Sequence, residues 1–402
     1  MYRFALEGMR ATPGILALGV LIGCADRHAI VDGGPHDANI DGWRYDSGPV
    51  GSTDRVDILI VVDAERGGST VDQSGQAMWV VGRLEQRLLI TDQVADGGPV
   101  LSIHIGVITG DLGSAEVTDG WFCEPGLGDD GILARVLDPS RPDCLARYPS
   151  GIFDYDAPVV DRCIEDLDGL RRRGCLFQQE LEATLLALSP APRPDGTSSV
   201  TWTRDDYQPP QFADGRTGHA GPGGANEGFP RPDSVLVIVL VAPQDDCSTP
   251  DSHLFSMSEH IDQLDQAALW CHREPDPRYP IERYVEGFLG LRRSPSRLVV
   301  AGLVGVPPDY ALDSYDQLLA DPLMAETVEQ PGVNAPAVVC ADLLGEHAFA
   351  GRRVVSVLAG LDAAGAHAIV GSICEDYISP DLPPVVLRLF DAIQAARRGR
   401  AS

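Results

Sequence analysis

The stretch Val56–Asp63 constrains the fold of this chain more than any other. It reads Val-Asp-Ile-Leu-Ile-Val-Val-Asp, and a glycine pair follows at positions 67 and 68. An apolar run rich in β-branched residues, ended by an aspartate and by turn residues, predicts a buried strand that leads into an exposed loop. In open α/β sheets, ligands bind beyond the carboxyl ends of the strands. We therefore expect Asp63 to lie where a ligand would bind.

Alternation of such runs with helical patterns predicts an α/β fold: a single doubly wound, mostly parallel sheet with helices on both faces. The most apolar run, Ser234–Ala242, is expected to be a central strand. Strands are predicted at 56–62, 100–109, 132–137 (an antiparallel edge strand), 234–242, 297–305 and 367–373. Helices are predicted at 71–89, 176–188, 281–291, 314–325, 347–360 and 383–395. Residues 114–174 and 189–232 are predicted insertions.

The first residues predict export. Arg3 and Arg10 precede the apolar stretch Ile15–Ile22, which leads into Gly23 and Cys24. A basic segment followed by a short apolar one is typical of a secretory signal, and Leu-Ile-Gly-Cys resembles a bacterial lipobox, which makes Cys24 the lipidation site. An ordinary signal peptide is the alternative. The predicted organisation is a lipoprotein signal peptide, a disordered tether, a folded domain and a tail, at residues 1–23, 24–54, 55–396 and 397–402.

Cysteine usage agrees with export. Besides Cys24, the chain has eight cysteines: Cys123, Cys144, Cys163, Cys175, Cys247, Cys271, Cys340 and Cys374. An even number of cysteines in an exported chain predicts a disulfide framework. Several connectivities are open, and pairing in sequence order is the simplest of them. A zinc site is not predicted, because no Cys-x2-Cys pair is present.

Charge and motifs exclude some classes of function. The formal net charge is -28, and such a chain repels phosphate backbones, so nucleic acid is not expected as a partner. The sequence has no Gly-x-Ser-x-Gly elbow and no His-Glu-x-x-His motif, so no catalytic residue is predicted.

Several segments, taken in order, resemble the exported von Willebrand factor A-like proteins of predicted bacterial lipoproteins. Besides the first strand they are Ile105–Gly113, Gly128–Gly131, Gly174–Glu182, Phe229–Asp233, Asp245–Ser248 and Ser372–Cys374. The resemblance implies a domain that binds a protein or other ligand. It also implies a divalent ion, held by an Asp-x-Ser-x-Ser loop, a threonine, and an aspartate after the fourth strand.

The implied ion site is degenerate in this chain. The two serine positions are Glu65 and Gly67, and Pro243 stands where the family places its aspartate. Because Mg²⁺ demands near-octahedral oxygen geometry, we expect no working metal site and no cofactor, with weak Ca²⁺ or Mg²⁺ binding as the alternative. The vestigial positions are Asp63, Glu65, Gly67, Thr109, Asp111, Pro243, Asp245 and Asp246.

Together these features predict a lipid-anchored binding or adhesion module, not an enzyme, at the outer membrane or periplasmic face of a bacterial envelope. Its partner would be a protein or envelope ligand, recognised through the loops at 63–70, 109–115 and 243–248. Two alternatives stay open. One is an envelope hydrolase that uses carboxylates in the same crevice, and the other is a structural surface protein.

Overall fold

A six-stranded sheet forms the centre of the protein in a computed structural model. Its strand order is β3-β2-β1-β4-β5-β8, and a separate two-stranded sheet pairs β6 with β7. The strands are β1 (Arg55–Val62), β2 (Ser102–Thr109), β3 (Phe153–Asp154), β4 (Val235–Ala242), β5 (Leu298–Val304), β6 (Val338–Ala341), β7 (His347–Phe349) and β8 (His367–Ser372). Five strands of the large sheet are parallel, and β3 pairs with β2 in the antiparallel direction. The protein therefore belongs to the α/β class.

The structure describes part of the chain, all of it within the compact unit Gly48–Ser402. The described residues are 55–63, 80, 82–84, 87–88, 101–120, 123, 125–135, 148, 150–154, 175, 177–192, 202–259, 270–272, 276–308, 310, 314–325, 337–343, 345–375 and 383–398. The predicted signal peptide and all of the predicted tether, including Cys24, lie outside these residues.

Five helices accompany the strands in the described ranges: α1 (Glu180–Leu188), α2 (Ile281–Gly290), α3 (Tyr315–Ala320), α4 (Arg352–Ala363) and α5 (Pro384–Arg398). The predicted helix at 71–89 is described only in pieces, in which Val80, Leu84 and Leu88 are helical and buried. None of the helices in the described ranges is both long and apolar enough to cross a bilayer.

Alternate residues of β4 enter two different hydrophobic clusters. Val235, Val237, Val239 and Val241 pack in one cluster with residues of α5. Leu236, Ile238 and Leu240 pack in the other with residues of α1, α2 and α4. Successive side chains of a strand point to opposite faces, so β4 is buried on both sides, which explains why its run contains no polar residue. Full burial of each such side chain stabilises the fold by about 1.5–3 kcal/mol.

The predicted edge strand is wrong. The sequence places it at 132–137, but the antiparallel edge strand is β3, and 132–135 are irregular. The reason is a distant side chain: the backbone N–H of Leu133 donates to Oδ1 of Asn226 at 2.9 Å. The Leu133 side chain then fills the space beside Gly106. A Cβ added to Gly106 would lie only 2.6 Å from Cδ2 of Leu133. Residue 133 is thus held by Asn226, while its neighbour Ala134 donates its N–H to the carbonyl of Val107 in β2 at 2.8 Å without extending into a ladder.

Of the four disulfide pairs expected from sequence order, two are present and the other two, Cys123–Cys144 and Cys163–Cys175, are wrong. Cys247 pairs with Cys271 and Cys340 with Cys374, as expected. Cys123, however, pairs with Cys175 rather than with Cys144. A satellite cluster explains this pairing, because Phe177 stacks on Phe255 and Trp270 and brings residues 123, 175, 247 and 271 together. Cys144 and Cys163 lie outside the described residues.

Candidate functional site

The carboxyl ends of β1, β2 and β4 meet at one edge of the sheet. β1 is the first strand of the chain, and it pairs with β2 on one side and β4 on the other. The order of strands along the chain therefore reverses at β1, and loops that leave neighbouring strands at such a point form a crevice. Val62 is in register with both Thr109 and Val241. The loops after these strands consequently start side by side.

The first predicted position, Asp63, follows β1 directly and is 1% exposed. Pro243, after β4, uses its carbonyl oxygen to accept the backbone N–H of Phe349 at 2.7 Å. Glu65 and Gly67 lie outside the described residues. The structure thus places Asp63 at the carboxyl edge, and it ties residue 243 to β7.

Thr109 and Asp111 bond within the loop that follows β2. Oγ1 of Thr109 donates to Oδ2 of Asp129 at 2.5 Å, and Oδ1 of Asp111 accepts the N–H of Gly113 at 2.7 Å. Burial raises the pKa of Asp111, and the Gly113 hydrogen bond opposes that shift. Gly113 has a φ of 62° and packs against the backbone of Gly126, so this loop is folded tightly onto residues 126–131.

Asp245 caps the start of α4. Its two carboxylate oxygens accept the backbone N–H of Arg353 at 2.9 and 3.2 Å, and Nη1 of Arg278 lies 3.6 Å away. Helix α4 has no cap of its own, because its N-cap residue is Gly351. The first N–H groups of a helix need acceptors and favour negative charge. Asp245 meets both needs from a position more than 100 residues away in sequence.

Asp246 caps α1 in the same way. Its Oδ1 accepts the N–H of Leu181 at 3.0 Å and the hydroxyl of Ser248 at 2.6 Å. Its Oδ2 forms a buried ion pair with Nε of Arg353 at 3.2 Å. Ser248 in turn accepts the N–H of Glu182 at 3.1 Å. The tandem aspartates after β4 therefore join the starts of α1 and α4 to the central strand.

Glu180 lies among these carboxylates and was missed from the sequence. It is fully buried, and neither of its carboxylate oxygens has a hydrogen-bond partner among the described residues. Burial raises its pKa well above the usual range, and the charges of Asp63, Asp246 and Asp245 raise it further. The loop after β2 closes over it, because a Cβ on Gly110 would lie 3.1 Å from Cγ of Glu180. The Glu180 carboxyl therefore stays protonated to a higher pH than an ordinary glutamate does.

A sequence signal for this burial exists. Residues 181–188 carry apolar side chains around most of the helix, and all nine residues of α1 are buried. A helix that is apolar on every side lies in the core. A glutamate at its first position is then inside the protein. In a surface helix the same residue would be a solvated partner of the helix dipole.

An open cleft lies beside this buried cluster. Its cavity is about 20 Å³, or about 330 Å³ when the open solvent at its mouth is counted. Its lining contains Leu112 and Gly113 after β2, Gln179 and Glu182 at α1, and Thr249, Ser252 and Phe255 after β4. Ala213, Asp214, Arg216 and Tyr279 complete the lining. These residues come from the loops after β2 and β4, from the start of α1 and from an insertion. This combination identifies the cleft as the candidate binding site.

Most charges around the cleft are paired. Glu182 accepts two hydrogen bonds from Arg283, at 2.7 and 2.9 Å, and the Arg283 guanidinium lies 4.2 Å from the centre of the Tyr279 ring. Arg216 pairs with Asp130 at 2.8 Å and donates to the carbonyl oxygens of Leu127 and Leu112. Burial, with the nearby Glu182 charge, raises the pKa of Tyr279 to about 12. The cleft thus has rigid walls and a neutral phenol.

Within the described ranges, no group of three or more His, Cys, Asp or Glu side chains is arranged to hold a metal ion. Comparison with family models, with curated proteins and with solved structures gave no match. The fold and the site therefore define an α/β protein with a cleft at the carboxyl edge of its sheet, and the resemblance to von Willebrand factor A-like proteins stays a prediction.

Proposed function

We propose that the protein is an exported, lipid-anchored binding module of the von Willebrand factor A-like type, which recognises a protein or envelope ligand through its strand-end loops. The observation that carries this proposal is the open cleft at the edge where the strand order reverses, because ligands of open α/β sheets bind at that place. The cleft is lined by Leu112 and Gly113, which belong to the predicted recognition loop at 109–115, and by Thr249, Ser252 and Phe255, which lie just beyond the predicted loop at 243–248.

The strand order and the packing support the finer description of the fold. One antiparallel edge strand beside five parallel strands agrees with a doubly wound sheet of this type. The two clusters that share the residues of β4 contain different helices, as a sheet covered on both faces requires. Cys123–Cys175, Cys247–Cys271 and Cys340–Cys374 support export, because disulfides persist in oxidising compartments.

Recognition is proposed to be independent of a metal ion. A hard cation needs several free oxygen ligands in fixed geometry. Asp245 and Asp246 already accept hydrogen bonds from α4 and α1, and Thr109 donates its hydroxyl to Asp129. These positions therefore fit a role as helix caps and loop anchors better than a role as metal ligands.

The rival proposal, an envelope hydrolase, would need an acid that a substrate can reach. Glu180 has the raised pKa of such an acid, and carboxyl groups with divergent pKa values do serve as acid and base in enzymes. Its carboxyl is nevertheless fully buried under the loop after β2. A substrate cannot contact it there, which favours binding over hydrolysis.

Site-specific photocrosslinking in intact cells tests the proposal. Benzoylphenylalanine would replace Glu116 and His253, exposed residues of the loops after β2 and β4, or Arg293, an exposed residue before β5 at the opposite edge. We expect one and the same crosslinked partner from positions 116 and 253 and none from position 293. A partner captured equally well from position 293, or no partner from either strand-end loop, would contradict the proposal.

A further inference from the structure

The amino edge of the sheet, opposite the cleft, carries a cluster of arginines. Arg55 begins β1 and Arg297 directly precedes β5, and the starts of the parallel strands lie side by side. Helix α2 ends at the same edge, since Nη2 of Arg292, which follows the helix, donates to the hydroxyl of Ser234 before β4 at 3.0 Å. We define the basic edge as Arg55, Arg292, Arg293, Arg297, Arg397 and Arg398.

Helix α5 brings the last two of these arginines to the basic edge. Val385, near the start of α5, lies beside Gly371, near the end of β8. The helix also contacts the turn Pro295–Arg297 before β5. α5 therefore runs antiparallel to the strands, and its last residues, Arg397 and Arg398, lie by the strand starts.

Ion pairing differs between the two edges of the sheet. At the carboxyl edge arginines are bound to carboxylates, in the pairs Arg216–Asp130, Arg283–Glu182 and Arg353–Asp246. At the basic edge, Arg292, Arg297 and Arg398 form no ion pair with any carboxylate that the structure describes. Composition does not explain this difference, because the chain has 59 acidic residues for 31 basic ones.

Arg292 shows that positive charge is retained at the basic edge. It is 2% exposed, and it donates to the carbonyl oxygen of Leu291 and to the hydroxyl of Ser234. Its Nε has no hydrogen-bond partner among the described residues. Burial lowers the pKa of Arg292 to about 10, which leaves the guanidinium charged at neutral pH. Buried charges are normally paired, so this one lacks the usual direct partner.

Carboxylates near the basic edge are fewer than its arginines. Asp57, which is buried, pairs with Arg231 at 2.7 Å. Asp205 lies 4.0 Å from Arg293, and both side chains are exposed, so this pair is weak. The exposed carboxylates at this edge are Asp205, Asp206, Asp233 and Asp362. The basic edge is therefore positive on balance, although the chain as a whole has a net charge of -28.

We propose that the basic edge docks on anionic phospholipid headgroups of the membrane that holds the lipid anchor, so that the cleft faces away from that membrane. The segment that would carry the lipid enters the fold at Arg55, which belongs to the basic edge. Each arginine near an anionic membrane surface strengthens association by about fivefold. A lipid chain together with a basic patch anchors a protein stably. This inference rests on the proposed function, because it requires the lipid anchor.

The separation of the two edges makes this docking one-sided. Strand β1 has 8 residues, which span about 26 Å of extended chain. Electrostatic interactions with a membrane surface fade over about 8 Å at physiological salt. The carboxylates at the carboxyl edge are therefore too far from the headgroups to be repelled while the basic edge is in contact.

Fluorescence quenching in vesicles tests the proposal. The lipidated full chain would carry the fluorescent amino acid acridonylalanine in place of Ser294, exposed at the basic edge, or of His253, exposed at the carboxyl edge. The vesicles would be phosphatidylcholine alone or equimolar phosphatidylcholine and phosphatidylglycerol, each with a trace of lipid that has a nitroxide on its headgroup.

We expect quenching at position 294 to be about twofold or more stronger in the vesicles with phosphatidylglycerol. Salt that shortens the Debye length to about 3 Å should abolish this difference. Quenching at position 253 should be the same in both kinds of vesicle.

The decisive variant is Arg293→Gln with Arg398→Gln, which removes two exposed charges of the basic edge. It should weaken docking by more than about tenfold and reduce quenching at position 294 to the level seen in phosphatidylcholine. The matched control is Arg135→Gln with Arg352→Gln, two arginines away from the basic edge. The control should leave quenching unchanged, and the melting temperatures of both double variants would verify that they fold.

Equal quenching at position 294 in the two kinds of vesicle would overturn the inference. That result is expected if the acidic tether, with six aspartates and two arginines at 24–54, covers the basic edge instead. Stronger quenching at position 253 than at 294, or no effect of the decisive variant, would also contradict it. Any of these, with the crosslinks from positions 116 and 253 intact, would leave the proposed function standing. A chain that stays with neither kind of vesicle would reject the lipid anchor and with it both proposals.

Discussion

Glu180 shows how one residue can limit the stability of the whole sheet edge. Its carboxyl is buried without a hydrogen-bond partner in the described structure, and an uncompensated buried charge is costly. The folded state therefore favours the protonated form of Glu180. The pKa of Glu180 is higher in the folded state than in the unfolded chain, where it is near 4.5. Below that unfolded pKa the carboxyl is protonated in both states, so its burial does not reduce the stability of the fold. Stability then declines as the pH rises toward the folded pKa.

The variant Glu180→Gln should therefore be more stable than the natural chain at pH 8 and equally stable at pH 4. Glutamine is a neutral amide of the same shape, so it removes the cost of deprotonation. Thermal unfolding at both pH values measures the effect, with an expected rise in melting temperature of about 2 °C or more at pH 8. The exposed Glu116→Gln is the control. If Glu180→Gln were less stable at pH 8, the carboxylate would have a stabilising partner, contrary to this interpretation.

The ion pair between Asp246 and Arg353 also affects stability. The pair is buried, with Nε to Oδ2 at 3.2 Å, and the loss of one member of a buried pair leaves an unpaired charge. We expect Asp246→Asn to reduce the free energy of unfolding by about 3 kcal/mol. Urea unfolding of Asp246→Asn, Arg353→Met and the double variant would form a thermodynamic cycle. The double variant should lose less stability than the sum of the single variants, and strict additivity would argue against the pair.

The sequence placed Asp245 and Asp246 at the right edge but could not assign their role. A carboxylate after a strand is compatible with a metal ligand or a helix cap, and the choice depends on which donors arrive. Here the donors are N–H groups of Leu181 and Arg353, 65 and 108 residues away. Such distances in sequence leave no local pattern, so the caps of α1 and α4 can only be recognised once the chain is folded.

The helices and strands that the sequence predicts best are those defined by residues close together in sequence. β4 and β5 were predicted within one residue at each end, because a run of apolar β-branched residues is sufficient to define a buried strand. α1 begins at Glu180 rather than at residue 176. Its predicted first residues instead bond to strand-end loops, as Gln179 donates its N–H to the carbonyl of Gly110 and Gln178 accepts from Cys247. Non-local backbone bonds therefore set the start of α1.

The satellite cluster around Phe177 determines which cysteine pairs with Cys123. Protease digestion without reduction, followed by mass spectrometry, should yield a peptide that links Cys123 to Cys175, because stacked Phe177, Phe255 and Trp270 hold these segments together. A peptide that links Cys123 to Cys144 would contradict the structure and favour sequence-order pairing. The Cys340–Cys374 peptide, expected under both pairings, is the internal control.

Removal of the same bond should also destabilise the protein. The bond joins residues 52 apart, and closing a loop of that length stabilises a fold by about 4 kcal/mol in the chain-entropy description. We expect a loss of that order in guanidinium unfolding of the double variant Cys123→Ser and Cys175→Ser. The double variant Cys247→Ser and Cys271→Ser, which opens a shorter loop of 24, should lose slightly less. The reverse order would show that packing rather than loop closure dominates.

At the scale of the whole molecule, the net charge of -28 affects how any cation acts on the protein. Like charges on a compact chain repel one another, and every added salt screens them. A rise in stability with Mg²⁺ or Ca²⁺ alone would therefore not establish a bound ion. A specific site stabilises by an amount that grows with occupancy, about 2.7 kcal/mol at 100 times the dissociation constant. Screening depends only on ionic strength.

Whether the protein has a specific metal site can be tested by comparing divalent with monovalent salts. Melting temperature would be measured in increasing MgCl₂ or CaCl₂, against NaCl at matched ionic strength. Because Asp245 and Asp246 are engaged as helix caps, we expect the divalent and monovalent curves to coincide. Asp63→Ala, which removes the carboxylate nearest the end of β1, should shift all three curves by the same amount. A saturable rise confined to the divalent salts, and absent in Asp63→Ala, would mean that the carboxyl edge holds a cation and that recognition depends on it.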